Sequence, residues 1–195
     1  MSTGELIERF AIERVGRAAA IFDEQKLRWM NGRFMRELDL GEYEARLGAH
    51  LERSDPEAAR AFEAASPERR RMACAIVQEK AQTLAEVWAL IGFLFAEPER
   101  EEKAWDKVMI PEAEPLLRAA RDALAAVEPF DAAAIEPPLA AIVADAGVKA
   151  KALYQPIRVA LTGTTVSPGI FESLAALGRD ASLERIDSAL ERLRA

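Results

Sequence analysis

The chain of 195 residues contains only one cysteine and one histidine, two residue types that often act as nucleophile, base or metal ligand. Its one cysteine, Cys74, excludes an internal disulfide and any zinc site built from cysteines. That residue lies in the apolar run 72–77, which predicts a buried, unreactive thiol. The one histidine, His50, is typical of a helix end or a surface position. The sequence has no Cys–His pair suited to nucleophilic catalysis, no Gly-rich phosphate loop and no HExxH motif. We therefore predict no catalytic residue and no metal ligand.

Long apolar runs are also missing. No stretch approaches the roughly 18 consecutive apolar residues of a membrane-spanning helix. The first residues include Glu5 and Glu8 and lack the basic-then-apolar pattern of a secretory signal. We therefore expect a cytoplasmic protein with no membrane partner.

The residues that are abundant favour helices. Alanine is the commonest residue, only two tyrosines occur, and β-branched residues never form long runs. Glycine and proline are close to average, at ten each. This composition predicts an all-α fold.

Capping signals divide the first half into short helices. Asp23 is expected to cap a helix that stops at Asn31–Gly32, and a second short helix is expected over 34–38. Asp55–Pro56 and Ser66–Pro67 each place a capping side chain before a proline at the first helical position. Both pairs therefore predict helix starts.

The second half begins after a break at 96–99. Helices are expected over three segments, 116–127, 131–146 and 149–161. Ser167–Pro168 predicts the start of the next helix, Gly178 its end, and Ser182 the cap of the last one. We expect a helical bundle of two small subdomains that meet near 97–110.

Charge is distributed unevenly along the chain. The formal net charge of −7 argues against a protein that binds nucleic acid indiscriminately. Residues 97–145 hold twelve acidic and five basic residues, which accounts for the whole excess. Residues 9–36 and 146–195 are each net positive. Local positive surface is thus available despite the negative net charge, and we expect the acidic segment to face away from it.

Two sequence blocks carry a resemblance to a known family. The first is Phe-Asp-Glu-Gln-Lys-Leu-Arg-Trp-Met-Asn-Gly at residues 22–32. The second is Tyr-Gln-Pro-Ile-Arg-Val-Ala-Leu-Thr-Gly at 154–163, followed by Ser-Pro-Gly-Ile-Phe-Glu at 167–172. Their order and spacing resemble the C-terminal anticodon-binding region of bacterial-type glutamyl-tRNA synthetases, which is described as an α-helical cage.

The resemblance implies a tRNA-binding piece of a class I glutamate–tRNA ligase. The family's catalytic domain uses ATP and magnesium and carries HIGH-like and KMSKS-like motifs, neither of which occurs in this chain. We therefore expect no aminoacylation and no cofactor in this chain alone. The expected partner is a glutamate-accepting tRNA, the expected state a monomer, and the expected subdomains 1–100 and 101–195.

The resemblance also implies which residues contact RNA. Arg158 leads, because a planar guanidinium can pair with a base edge in two-pronged fashion and can also stack. Ser167, Pro168 and Ile170 match loop positions that contact splayed anticodon bases in the family. The alternatives are a surface arginine for Arg158 and a plain helix start for Ser167–Pro168.

Two further pairs follow from the same resemblance. Lys26 and Trp29 are three residues apart on one helix face, and the family places that face against the tRNA. Core packing is the alternative for Trp29. Gln78 and Lys80 lie in a helix where some members carry an arginine that senses the third anticodon base. An amide at Gln78 would remove one charge-assisted contact, which predicts weak discrimination between glutamate and glutamine tRNAs.

A second function class fits the acidic segment. A free-standing helical domain that binds another protein could present residues 97–145 to its partner. The two sequence blocks at 22–32 and 154–172 oppose this alternative.

Overall fold

The computed structural model describes residues 3–14, 16 and 21–194, except for the side chain of Thr3. Within these residues the chain forms twelve α-helices and no strand, which confirms the all-α prediction. The helices are α1 (Thr3–Arg9), α2 (Glu24–Glu37), α3 (Leu40–Ser54), α4 (Pro56–Ala64), α5 (Pro67–Gln78), α6 (Leu84–Ile91), α7 (Glu102–Val108), α8 (Ala113–Ala125), α9 (Ala132–Asp145), α10 (Ala150–Thr162), α11 (Ile170–Leu177) and α12 (Arg179–Arg194). None of them has the length and apolar character needed to cross a membrane.

Several helices begin at the capping residues that the sequence predicts. The side chains of Asp23, Asp55, Ser66 and Asp131 each accept a hydrogen bond from the backbone N–H three residues later, at 2.9 to 3.2 Å. Such a bond satisfies one of the N–H groups that a helix start leaves free. The predicted starts at Asp55–Pro56 and Ser66–Pro67 are confirmed.

The predicted stop at Asn31–Gly32 is wrong. α2 continues through both residues to Glu37 and absorbs the separate helix expected over 34–38. The Asn31 side chain donates to the carbonyl of Gln82 at 2.5 Å, and a Cβ at Gly32 would lie 3.2 Å from the Gln82 Cα. The glycine therefore permits a close approach between α2 and the α5–α6 connection instead of ending the helix.

Two expected helix starts in the last third are also wrong. α11 begins at Ile170 with Gly169 as its cap, because the Ser167 hydroxyl is bonded elsewhere. Ser182 is buried inside α12, which already begins at Arg179. The predicted break at Gly178 is confirmed, and its φ of +90° is a conformation that favours glycine.

The helices pack in two groups around a shared apolar core. In the first group α3 packs against α4, α5 and α6, and in the second α7 to α12 pack on one another. α5 contacts α11 and joins the groups, with Arg69 donating to the carbonyl of Leu177 at 3.3 Å. A division at residue 100 stays a prediction, because the buried core includes residues from both groups.

The end of α10 is anchored where the two groups meet. Gly163 has a φ of +73°, and its carbonyl accepts a hydrogen bond from the Glu101 N–H at 3.0 Å. A Cβ at position 163 would collide with the carbonyl of Glu99. Arg185 donates to the carbonyl of Leu161 at 2.6 Å. These contacts fix the start of the loop 163–169, which carries Ser167 and Pro168 and leads directly to Ile170 at the start of α11.

Candidate nucleic-acid interface

α10 carries one cationic side chain in the part that follows Lys151, which is otherwise uncharged. Leu153, Ile157 and Leu161 are fully buried and hold this helix in the core. Arg158 follows Ile157 directly and is half-buried. It is the only charged residue of α10 after Lys151. The packing of its neighbours therefore determines where its guanidinium can reach.

The Arg158 guanidinium is held by the loop that follows its helix. Its Nε donates to the Ser167 Oγ at 2.8 Å, and that hydroxyl in turn donates to the carbonyl of Pro168 at 2.9 Å. No carboxylate of the described residues pairs with it, and burial lowers its pKa below the ordinary value for arginine. Arginine stays protonated in proteins. The site thus holds an uncompensated positive charge in a fixed orientation.

The three predicted loop positions differ in accessibility. Ser167 is half-buried, Pro168 is buried, and Ile170 is 6% exposed in the core. Val166 is 63% exposed and is the apolar side chain that this loop offers to a partner. Sequence reasoning missed it. The sequence feature that could have indicated it is a single valine within a loop that otherwise consists of Thr, Ser, Gly and Pro.

The acidic segment 97–145 neutralises other basic residues, not Arg158. Four ion pairs link it to α12: Arg179–Glu128 at 2.6 Å, Arg192–Glu102 at 2.6 Å, Arg194–Glu114 at 3.0 Å and Arg121–Asp187 at 2.9 Å. Three of the basic residues of α12 are thereby paired. The basic residues of α10, in contrast, have no ion pair among the described residues. They are Lys149 at the cap of the helix, Lys151 and Arg158.

α2 provides a second, different surface. Lys26 is exposed and Trp29 is 55% exposed, so the indole does not pack in the core. Leu27, Met30 and Phe34 on the same helix are exposed as well. An ammonium group and a free indole face on one helix suit a surface of phosphate, sugar and base.

Gln78 connects α5 to the end of α2. Its amide nitrogen donates to the carbonyls of Met35 at 3.0 Å and Leu38 at 2.8 Å. Both amide protons are therefore used within the fold, and the oxygen is left as an acceptor. Lys80 is exposed two residues later. Contact of either residue with RNA stays a prediction.

The two residues that the sequence predicts to be unreactive are both at least partly buried. Cys74 is completely buried, and burial raises the pKa of its thiol to about 12. His50 is half-buried in α3. In the part of the chain that the structure describes, no group of histidine, cysteine, aspartate and glutamate side chains could hold a metal ion.

Curated relatives match nearly the whole chain. The glutamate–tRNA ligase of Rhodopseudomonas palustris strain TIE-1 is 38% identical over 188 residues, which covers 95% of this chain and 40% of that protein. The glutamate–tRNA ligase of Syntrophobacter fumaroxidans is 36% identical over 188 residues, covering 95% and 39%. The chain thus spans about two fifths of the length of the curated relatives it matches.

Solved structures share the fold. A glutamate tRNA ligase from Elizabethkingia meningosepticum, solved with its amino acid, superposes with a TM-score of 0.79 at 23% identity, over 99% of this chain and 37% of that one. A glutamate–tRNA synthetase from Elizabethkingia anophelis gives 0.73 at 21% identity, over 98% and 36%. The family model for the anticodon binding domain matches residues 45–190. This match includes α10 and its loop, and the chain belongs to the anticodon-binding domain family.

Proposed function

We propose that this chain binds the anticodon loop of a tRNA. The observation that carries the proposal is the Arg158 guanidinium, uncompensated and held by Ser167 at the surface of the second helix group. Proteins read single-stranded RNA loops by stacking on splayed bases and by hydrogen bonds to base edges. A fixed guanidinium supplies the second kind of contact, and the exposed Trp29 supplies the first.

The names of the relatives extend the proposal to the whole protein. This chain would be the tRNA-binding portion of a glutamate–tRNA ligase, and its partner a glutamate-accepting tRNA. The activation of glutamate with ATP and magnesium would belong to the rest of that ligase, and this portion would need no cofactor. A monomeric, cytoplasmic protein fits this role.

Binding of an anticodon stem-loop tests the proposal directly. The 195-residue chain is titrated with the stem-loop of a glutamate tRNA and with a stem-loop of equal length and unrelated loop sequence. The glutamate stem-loop is expected to bind more tightly. Its log K should fall with log salt by about 0.7 for each single-stranded phosphate contacted. No binding at low salt would reject RNA binding and favour the protein-interaction alternative.

Discrimination between tRNAs is a separate part of the proposal. Gln78 has no positive charge with which to strengthen a contact to a base, and its amide protons are bonded to the end of α2. The stem-loops of glutamate and glutamine tRNAs are therefore expected to bind with similar affinity. A large preference for the glutamate stem-loop would contradict this part alone.

A further inference from the structure

The Arg158 guanidinium is engaged on one side only. An arginine has five N–H donors, one on Nε and two on each Nη. Nε is bonded to Ser167. Neither Nη nitrogen has a hydrogen-bond partner among the described residues, and neither is buried away from solvent. Two parallel N–H groups, one from each Nη, are consequently available at the outer edge.

The Ser167 hydroxyl is already used in both directions. It accepts from Arg158 Nε at 2.8 Å and donates its proton to the carbonyl of Pro168 at 2.9 Å. It therefore has no proton left for a base or a phosphate. Its bonds instead fix the rotation of the guanidinium relative to the loop.

We propose that Ser167 is a positioning residue, which turns the Nη edge of Arg158 toward a base edge that carries two adjacent acceptors. This inference rests on the proposed function and assigns Ser167 a role through Arg158 in place of direct RNA contact. Guanine offers such a pair with O6 and N7, and cytosine offers one with O2 and N3.

The surroundings favour a base over a phosphate. Arg158 is half-buried and bonded to Ser167, whose two chain neighbours are both apolar: Val166 is exposed and Pro168 is buried. The nearest cation along α10 is Lys151, seven residues or about 10 Å away along the helix axis. A lone guanidinium beside apolar side chains suits the edge of a base that also contacts those side chains.

The test measures base discrimination as well as affinity. Ser167→Ala, Ser167→Thr and Arg158→Lys are compared with the unmodified chain on glutamate stem-loops in which each loop base is changed in turn. Arg158→Lys removes the planar fork and is expected to lower discrimination at one loop position by about 5- to 150-fold. Ser167→Ala should lower discrimination at that same position at least about five-fold, and Ser167→Thr should retain it.

The double variant completes the experiment. Because Ser167 acts through Arg158, adding Ser167→Ala to Arg158→Lys is expected to cause no further loss. Equal losses for all loop sequences would indicate a phosphate contact and overturn the proposal. Additive losses would indicate a direct RNA contact by Ser167 and also overturn it. If the unmodified chain binds no stem-loop, the proposed function fails as well, and thermal unfolding shows whether each variant is folded.

Discussion

α2 and the α10 loop offer two contrasting surfaces to the same proposed ligand. On α2, Trp29 is 55% exposed and Lys26 has no described ion pair. On α10, Arg158 is half-buried and hydrogen-bonded, and Ile170 after the loop is almost fully buried. The first surface is accessible, and the Lys26 and Trp29 side chains have no hydrogen-bond, ion-pair or ring partner among the described residues, whereas the second surface is restricted but arranged in advance.

This difference separates two kinds of contribution to binding. A preorganised group loses little conformational freedom when the ligand arrives, so it can distinguish between bases. Exposed side chains on α2 lose more rotamer freedom and provide stacking and charge without strong sequence preference. We therefore expect base specificity from the α10 loop and general affinity from α2. Substitutions that disturb the loop should therefore change base specificity, and substitutions that remove exposed side chains of α2 should change general affinity.

The largest expected effect comes from loosening the anchor of the loop. Gly163→Ala places a methyl group against the Glu99 backbone at a φ of +73°. Backbone strain plus the collision should lower the free energy of unfolding by about 2–4 kcal/mol. Gly147→Ala is the matched control, because Gly147 has a φ of +63° but no neighbour within 4 Å. The control should lose only about 1 kcal/mol in urea unfolding. Equal losses would show that the junction does not constrain the loop.

Removing the exposed indole should affect binding but not folding. Trp29→Ala is expected to weaken stem-loop binding by about 1–3 kcal/mol, since base–aromatic stacking contributes that much. The free energy of unfolding should change by less than about 0.5 kcal/mol, because the side chain is exposed. Ile170→Ala provides the contrast, since its loss of buried contacts should destabilise the fold by at least about 2 kcal/mol. A Trp29 variant that unfolds more easily would contradict the described surface.

The smallest expected effect lies at the start of α2. Asp23→Ala removes the side-chain bond to the Lys26 N–H, which should cost about 0.5–1 kcal/mol of local helix stability. Hydrogen exchange in the first turn of α2 should become faster, while exchange in α10 is unchanged. Asp23→Asn keeps a capping oxygen and should leave exchange near its original rate. Faster exchange in both helices would show that the two surfaces are coupled.

Local signals in the sequence predicted much of the fold. Asp55, Ser66 and Asp131 cap helices within three residues of themselves, so the neighbouring sequence contains the whole interaction. Gly178 acts through its own backbone conformation. Where structure depends on neighbouring residues alone, a single sequence suffices to predict it.

The errors came from partners that are distant along the chain. Asn31 and Gly32 meet Gln82 some fifty residues later, so a pattern typical of a helix end became a packing contact. Gln78 bonds to the carbonyls of Met35 and Leu38 across a similar distance, which the sequence did not indicate, and its contact with RNA stays a prediction. Likewise Ser167 bonds to Arg158 instead of capping α11. The resemblance named Arg158 as a candidate, but only the structure shows how its guanidinium is oriented.

One measurement tests the central claim most directly, namely that Arg158 binds RNA. The affinity of the glutamate anticodon stem-loop is compared for the unmodified chain, Arg158→Ala and Arg60→Ala. Arg60 is an exposed arginine of α4, so its variant removes the same charge from another place. We predict that Arg158→Ala weakens binding by about 1–3 kcal/mol and that Arg60→Ala has less than a third of that effect. Equal effects of the two variants, or none from Arg158→Ala, would contradict the account.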